Sequence, residues 1–451
     1  MKHHRRPLHP ARLTFLLTVA LGLIVLAMGF MLSQTPAAEA QDNAPTPTFT
    51  PFPWAPTPVP LVPRGDDDII NILLLGTDLR STTEPFRTDT TIIMSVNRTA
   101  QTVSLLSIPR DYYVWIPGWN WGKVNTAYWR GDYNKWPGGG FPALAYTIEY
   151  NFGVRIDSYA LVDFNGFLNV IDTLGGVTIV VDCELASYKL RAYDLDESND
   201  ANYDWTVLPV GVHELDGITA LWYARSRLGT NDWERNRRQQ ALLRAIWRRA
   251  REVDILPRIP ELWNDITQTI NTNMTLGDVF GLVPLALTLD ESRIESHFLG
   301  PDQLRFSSTS GGASILVPRS YDVIRATVEN MYSPPTQNVL VQDPPRIEIL
   351  NGTENADWEL VAADRLSWEG LLPFANGPAH STDFPNTVLY DYTGQTKGSA
   401  RDVIQQVLKI RAEDVIVAPD PDRTVDYRVI LGASYNSCTY NPAAPVPSER
   451  E

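Results

Sequence analysis

From residue 69 onwards, short apolar runs alternate with glycine, charged turns and amphipathic stretches. Asn71-Ile72-Leu73-Leu74-Leu75 is almost wholly apolar and ends in glycine, the pattern of a strand buried on both faces. Thr91 to Val96 and Val103 to Ile108 repeat that pattern, separated by the short polar turn Asn97 to Gln101. Two further strands are expected at 158–163 and 177–182. Helices are expected at 141–152, 164–174, 215–224 and 234–252. Together these predict an α/β domain over residues 66–300, a mixed sheet flanked by helices.

Periodicity fades over 301–345, which reads as a connector closed by Pro334-Pro335 and Pro344-Pro345. It returns over 346–437 as a small second α/β domain. That domain has strands near 346–350, 387–392 and 427–431 and helices at 358–368 and 400–409, and residues 438–451 form a tail. At the other end, residues 1–12 carry Lys2, Arg5, Arg6 and Arg12 with no acid, and residues 13–32 carry no charge at all. About 20 apolar residues span a bilayer as one helix, and the basic flank predicts a cytoplasmic N-terminus with the rest outside the cell membrane. Ala38-Glu39-Ala40 leaves a cleaved signal peptide as the alternative. Residues 33–65, rich in Pro and Thr, form an extended spacer.

A net charge of −15 and a pI near 4.9 argue against nucleic acid as a partner. The only cysteines, Cys183 and Cys438, lie one in each domain; they are expected to be unpaired, with an interdomain disulfide as the alternative. Three of the six histidines sit in the first 12 residues and the others are scattered, which disfavours a histidine metal site or a serine triad. Gly138-Gly139-Gly140 lacks the lysine and hydroxyl of a phosphate loop and is expected to be a flexible loop over the cleft. Trp115, Trp119, Trp121, Tyr128 and Trp129 either stack on sugars or fill the core.

The chemistry concentrates at one sheet edge. Asp78 follows the first strand, Asp89 precedes the second, and Arg80 and Arg87 sit two positions from each carboxylate. The third strand delivers Arg110 and Asp111 to the same edge. Carboxylates hold a hard cation, and arginines neutralise a diphosphate without competing for that cation. The helix from 234 places Arg235, Gln239, Leu242 and Ile246 on one face, a polar turn grading into an apolar stripe, with an ordinary amphipathic helix packed on the sheet as the alternative for its apolar half. Arg225 and Arg227, if extended after the helix ending at 224, form a second phosphate clamp, with a surface turn as the alternative, whereas Arg237, Arg244, Arg248 and Arg251 read as a solvated face.

Asn71 to Arg80, Arg87 to Thr91, Ser107 to Asp111, Lys123 to Ala127, Leu174 to Val177, Leu215 to Arg227, Asp232, Arg235 and Arg238 to Gln240 resemble, in order, the motifs of the LytR-CpsA-Psr family of cell-wall glycopolymer transferases. Residues 346–437 resemble the small domain appended to many members. The resemblance implies a magnesium-dependent phosphotransferase, with manganese as the alternative ion. Its donor is a glycan on a polyprenyl diphosphate, its acceptor is peptidoglycan, and it works at the membrane. Asp78 and Asp89 would hold the metal. Arg87, Arg110 and Asp232 would be catalytic, Asp232 orienting an arginine or activating the acceptor, with a structural salt bridge as the alternative for Asp232 and Asp111. Arg80, Lys123, Arg225, Arg227, Arg235 and Gln239 would bind donor, and the donor's lipid would run along the Leu242 and Ile246 face into a deep aliphatic pocket opening at Arg87, Arg110, Arg225 and Arg227. The rival functions are a polyprenyl diphosphate phosphatase or pyrophosphatase and a noncatalytic wall-tethering protein.

Overall fold

A computed structural model describes residues 53–78, 86–228, 231–253, 259, 263, 270–333, 343–395 and 400–438. The expected membrane segment 13–32 lies outside these, and no helix among the described residues is long and apolar enough to cross a membrane. Strands β1 (Ile69–Thr77), β2 (Thr88–Asn97) and β3 (Thr102–Ser107) form an antiparallel meander. A small hairpin of β4 (Tyr113–Trp115) and β5 (Trp121–Lys123) follows, then helices α1 (Ala127–Tyr133) and α2 (Gly140–Phe152). Strand β6 (Ser158–Val162) lies parallel to β1, and helix α3 (Phe164–Thr173) leads to β7 (Val177–Val181). The hairpin β8 (Leu185–Leu190) and β9 (Tyr203–Leu208) and strand β10 (Gly211–Leu215) precede helices α4 (Gly217–Arg225) and α5 (Asp232–Glu252).

Strand β11 (Ile270–Thr272), helix α6 (Leu276–Thr288) and strand β12 (Ile294–Phe298) complete a mixed sheet ordered β11-β6-β1-β2-β3-β12. Its apolar runs are buried on both faces because alternate residues serve different cores. Leu73, Ile93 and Leu106 point to one face and pack with Leu144 and Ile148 of α2. Ile72, Ile92 and Leu105 point to the other, against Leu285 and Leu289 beside Leu243 and Trp247 of α5.

Residues 301–333 do not form the expected connector. They make a hairpin of β13 (Leu304–Ser308) and β14 (Ser314–Pro318) and a helix α7 (Tyr321–Met331), whose Ile324, Val328 and Met331 belong to the first core. The triple glycine does not form a flexible lid either. Gly139 has φ +88° and Gly140 opens α2 so close to α1 that an added Cβ would lie 2.4 Å from Tyr128, and Gly140 N donates to Asp132 Oδ1 at 2.6 Å.

The second domain contains β15 (Ile347–Asn351), helix α8 (Trp358–Ser367), β16 (Phe374–Pro378), β17 (Val388–Asp391), helix α9 (Arg401–Val407), β18 (Val415–Val417) and β19 (Tyr427–Leu431). Its sheet is ordered β16-β15-β19-β17-β18 over its own core. The domain is bolted to the back of α5. Trp368 lies between the guanidinium groups of Arg237 and Arg244, 4.6 and 4.5 Å from its ring centre, and Arg248 reaches Asp364 at 3.3 Å. Arg237 and Arg365 both pair with Asp182. Cys183 and Cys438 are joined in a disulfide rather than unpaired as expected. The expectation of a solvated arginine face holds at Arg251, which is exposed, but not along the rest: Arg237 and Arg248 are half-buried and Arg244 is 1% exposed, and burial pushes the Arg244 pKa down to about 10, against the opposing pull of Asp364 and Glu291. Helical period identifies a face but not what covers it.

Candidate active site

The site forms where β1 ends and β2 begins, at a break in their pairing. Gly76 pairs with Thr90 and Thr77 with Thr88, so Asp89 is the extra residue of a bulge. Bulges re-aim a side chain at a sheet rim. Three neighbours fix its carboxylate: Arg110 Nη1 donates to Oδ2 at 2.9 Å, Asn125 Nδ2 donates to Oδ1 at 3.1 Å, and Arg227 lies 3.8 Å from Oδ2. Arg110, just past β3, also meets Asp111 at 3.4 Å, and Asp111 holds Lys123 at 2.6 Å.

From the other side comes the start of α5, capped by Asn231 accepting from Glu234 N at 3.0 Å. Asp232, in the first turn, pairs with Arg235 at 3.2 Å and Arg227 at 3.6 Å. Arg235 is only 2% exposed. Gln239 donates to the Ala224 carbonyl at 3.3 Å and Gln240 to Ser107 Oγ at 2.8 Å, so α5 is tied to the end of α4 and to β3. Burial lowers the pKa of Arg235 to about 10, aided by Arg227 and Arg110 and opposed by Asp232. Burial and Arg110 likewise lower Arg227. At Arg110 burial works against the charge, but Asp89, Asp111 and Asp232 outweigh it and raise the pKa. Three guanidinium groups are therefore crowded around one small rim and held by three carboxylates, an arrangement suited to an added polyanion.

Below the rim opens a cavity of about 640 Å³. Asp78, Asp89, Arg225, Arg227, Arg235 and Gln239 lie at its polar end. Phe164, Phe167, Leu242, Leu243 and Ile246 line its apolar body. The expected aliphatic pocket along α5 is thus present, although its mouth differs from expectation. Arg110 reaches it only through Asp89, and Arg87 and Lys123 do not line it. Arg80 lies outside the described residues. Arg225 and Arg227 both line the cavity but form no single clamp: Arg225 is held by Glu197 at 3.1 Å and stacks over Phe164 at 4.2 Å, while Arg227 turns to Asp89 and Asp232.

Asn125 and Glu197 are site residues that sequence reasoning gave no role. Asn125 could have been singled out because it lies in the Lys123 to Ala127 stretch; Glu197 carries no signal, being an acid in a polar loop.

Asp78 is exposed beside the rim, and each Asp89 oxygen keeps a lone pair beyond its present partner. The pair fits a magnesium ion that completes its shell with phosphate and water, since such ions use one or two carboxylates. It makes no all-protein cage: among the described residues no group of three or more His, Cys, Asp or Glu could hold a metal.

Comparison with known proteins matches residues 33–322, well over half the chain, to the model of the LytR_cpsA_psr family. The chain is 29% identical over 226 residues to polyisoprenyl-teichoic acid–peptidoglycan teichoic acid transferase TagT of Bacillus subtilis, covering 49% of this chain and 65% of that protein. It is 32% identical over 214 residues to the TagU transferase of the same description from Oceanobacillus iheyensis, covering 47% and 61%. In each case the match spans less than two thirds of the relative. A crystal structure of TagV from B. subtilis aligns with a TM-score of 0.48 and 23% identity, covering 59% of this chain and 97% of that one.

Proposed function

The chain belongs to the LytR_cpsA_psr family, and on that premise we propose that it transfers a glycopolymer from a polyprenyl diphosphate carrier to a sugar hydroxyl of peptidoglycan. The acceptor oxygen attacks the phosphorus that bears the glycan. The bond from that phosphorus to the bridging oxygen breaks, polyprenyl phosphate leaves, and a phosphodiester joins glycan to wall. The acceptor proton is released. Relatives described as polyisoprenyl-teichoic acid–peptidoglycan transferases support this reading. The observation that carries it is the cavity itself, with an apolar body that suits hydrocarbon and arginines at its polar end that suit a diphosphate.

Phosphoryl transfer needs charge neutralisation and alignment more than covalent help. Arg227 and Arg235 hold the diphosphate oxygens, Asp232 aims both guanidinium groups, and Gln239 fixes the helix beneath them. Arg110 and Asn125 keep Asp89 at the rim, Lys123 supports Asp111 behind Arg110, and Arg87 and Arg225 add positive charge at the approaches. Magnesium held by Asp78 and Asp89, with manganese as the alternative, would supply further neutralisation when bound. The disulfide supports a location outside the cytoplasm, with residues 13–32 as the membrane anchor.

The test incubates the purified full chain in detergent with a labelled polyprenyl diphosphate-linked glycan and polymer-free peptidoglycan. Wall-linked label is expected. Free glycan without wall-linked product would replace the transferase reading by hydrolysis, and no turnover of either kind would leave the wall-tethering reading.

A further inference from the structure

We infer that Trp119 and Trp121, with Arg130 beside them, form a stacking platform for the acceptor glycan on the side of the Arg110–Asp89 pair away from the cavity. The inference rests on the transferase reading for the identity of the glycan. Trp115, Trp119, Trp121, Tyr128 and Trp129 separate by burial, with Trp129 half-buried and stacked on Tyr133. Trp115 and Tyr128 are core residues, 2% and 7% exposed, whereas Trp119 and Trp121 are 40% and 37% exposed.

The exposed rings are rigidly held. Trp121 stacks on Tyr113 with centroids 5.7 Å apart and meets Trp115 edge-on at 5.9 Å. The Arg130 guanidinium lies 4.7 Å from the ring centre of Trp119. Its Nε and one Nη are buried and meet no acceptor within the protein, and burial lowers its pKa despite an opposing influence from Tyr113, so the group backs the Trp119 ring from inside. Tyr133, 67% exposed, lies one turn beyond Arg130 on α1. Flat, partly exposed rings suit a pyranose, which offers a C–H face to the ring.

Size favours a sugar over a protein. The exposed parts of Trp119, Trp121 and Tyr133 amount to roughly 300 Å² if each ring carries about 200 Å². A stable protein interface needs about 800 Å² on each side. Position favours an acceptor over a second donor contact. Trp121 and Lys123 are two residues apart on one face of β5, about 7 Å, and Lys123 leads through Asp111 to Arg110 and Asp89. None of Tyr113, Trp119, Trp121 and Arg130 lines the cavity. Donor and acceptor would thus reach the Arg110–Asp89 pair from different sides.

The test sediments the full chain in detergent with polymer-stripped peptidoglycan sacculi and separately titrates a fluorescent polyprenyl diphosphate. The double variant Trp119→Ala, Trp121→Ala should bind sacculi about tenfold more weakly and need a similarly higher acceptor concentration for half-maximal transfer. kcat and polyprenyl diphosphate affinity should stay unchanged. Trp121→Tyr, which keeps a flat ring, should restore most of the binding and controls for misfolding. Wild-type binding to sacculi in the double variant overturns the platform, as does an equal loss of polyprenyl diphosphate affinity. Tryptophan-dependent sacculus binding without any transfer would uphold the platform as a glycan site while removing the transferase reading; transfer indifferent to both tryptophans would do the reverse.

Discussion

Asp89 owes its place to one unpaired position in a β ladder, and its partners come from three other segments. Asp89→Asn keeps the shape and loses the charge. Because the Arg110–Asp89 pair is partly exposed, with side chains 23% and 31% accessible, the stability loss should be about 1 kcal/mol, read as a melting shift of a few degrees. Turnover should fall by roughly 100-fold or more, and near-normal turnover with magnesium present would remove Asp89 from the proposed metal and phosphate site. Arg110→Lys should also be severe, since lysine keeps the charge but cannot hold Asp89 and Asp111 together; unchanged kcat in a steady-state assay would refute that. At this scale the sequence was legible where a side chain follows directly from a strand end or a helix face, as Asp78, Arg110, Arg235 and Gln239 do. Glu197 was not, because its contact with Arg225 depends on how a long polar loop returns to the sheet.

Helix α5 shows what periodicity can and cannot reveal. Its Arg235, Gln239, Leu242 and Ile246 face was readable as a polar-to-apolar gradient, and that face lines the cavity. Its arginine face was readable as a face but not as an interface, since no local pattern announces that Trp368 covers it. The strand and helix positions were likewise evident from apolar runs, whereas β13 and β14 went unrecognised because Ser307 to Ser314 is rich in Ser, Thr and Gly and reads as a loop. Leu242 is 2% exposed and borders the cavity. Leu242→Trp should fill part of that space, at a cost of about 1–3 kcal/mol in stability, and weaken long-chain polyprenyl donors far more than short-chain analogues. Equal weakening of both in a binding titration would argue that the lipid tail lies elsewhere.

The two domains are fastened through a single helix and its neighbours, so they are expected to unfold together. Trp368→Ala removes a half-buried ring that the guanidinium groups of Arg237 and Arg244 share and should cost about 3 kcal/mol, the low end for a large aromatic side chain. Combined with Cys183→Ser it should split a single denaturation curve into two transitions; one unchanged transition would show that the docking is not cooperative. The disulfide has a further consequence for covalent topology. It closes a ring across 255 positions, and that ring includes α4, α5, the cavity-lining residues they carry and nearly all of the second domain. One peptide bond cut anywhere between Cys183 and Cys438 therefore yields no fragment that can diffuse away. The clipped chain remains one molecule, heavier only by the water of hydrolysis, until it is reduced, and its two pieces part only when the disulfide is opened.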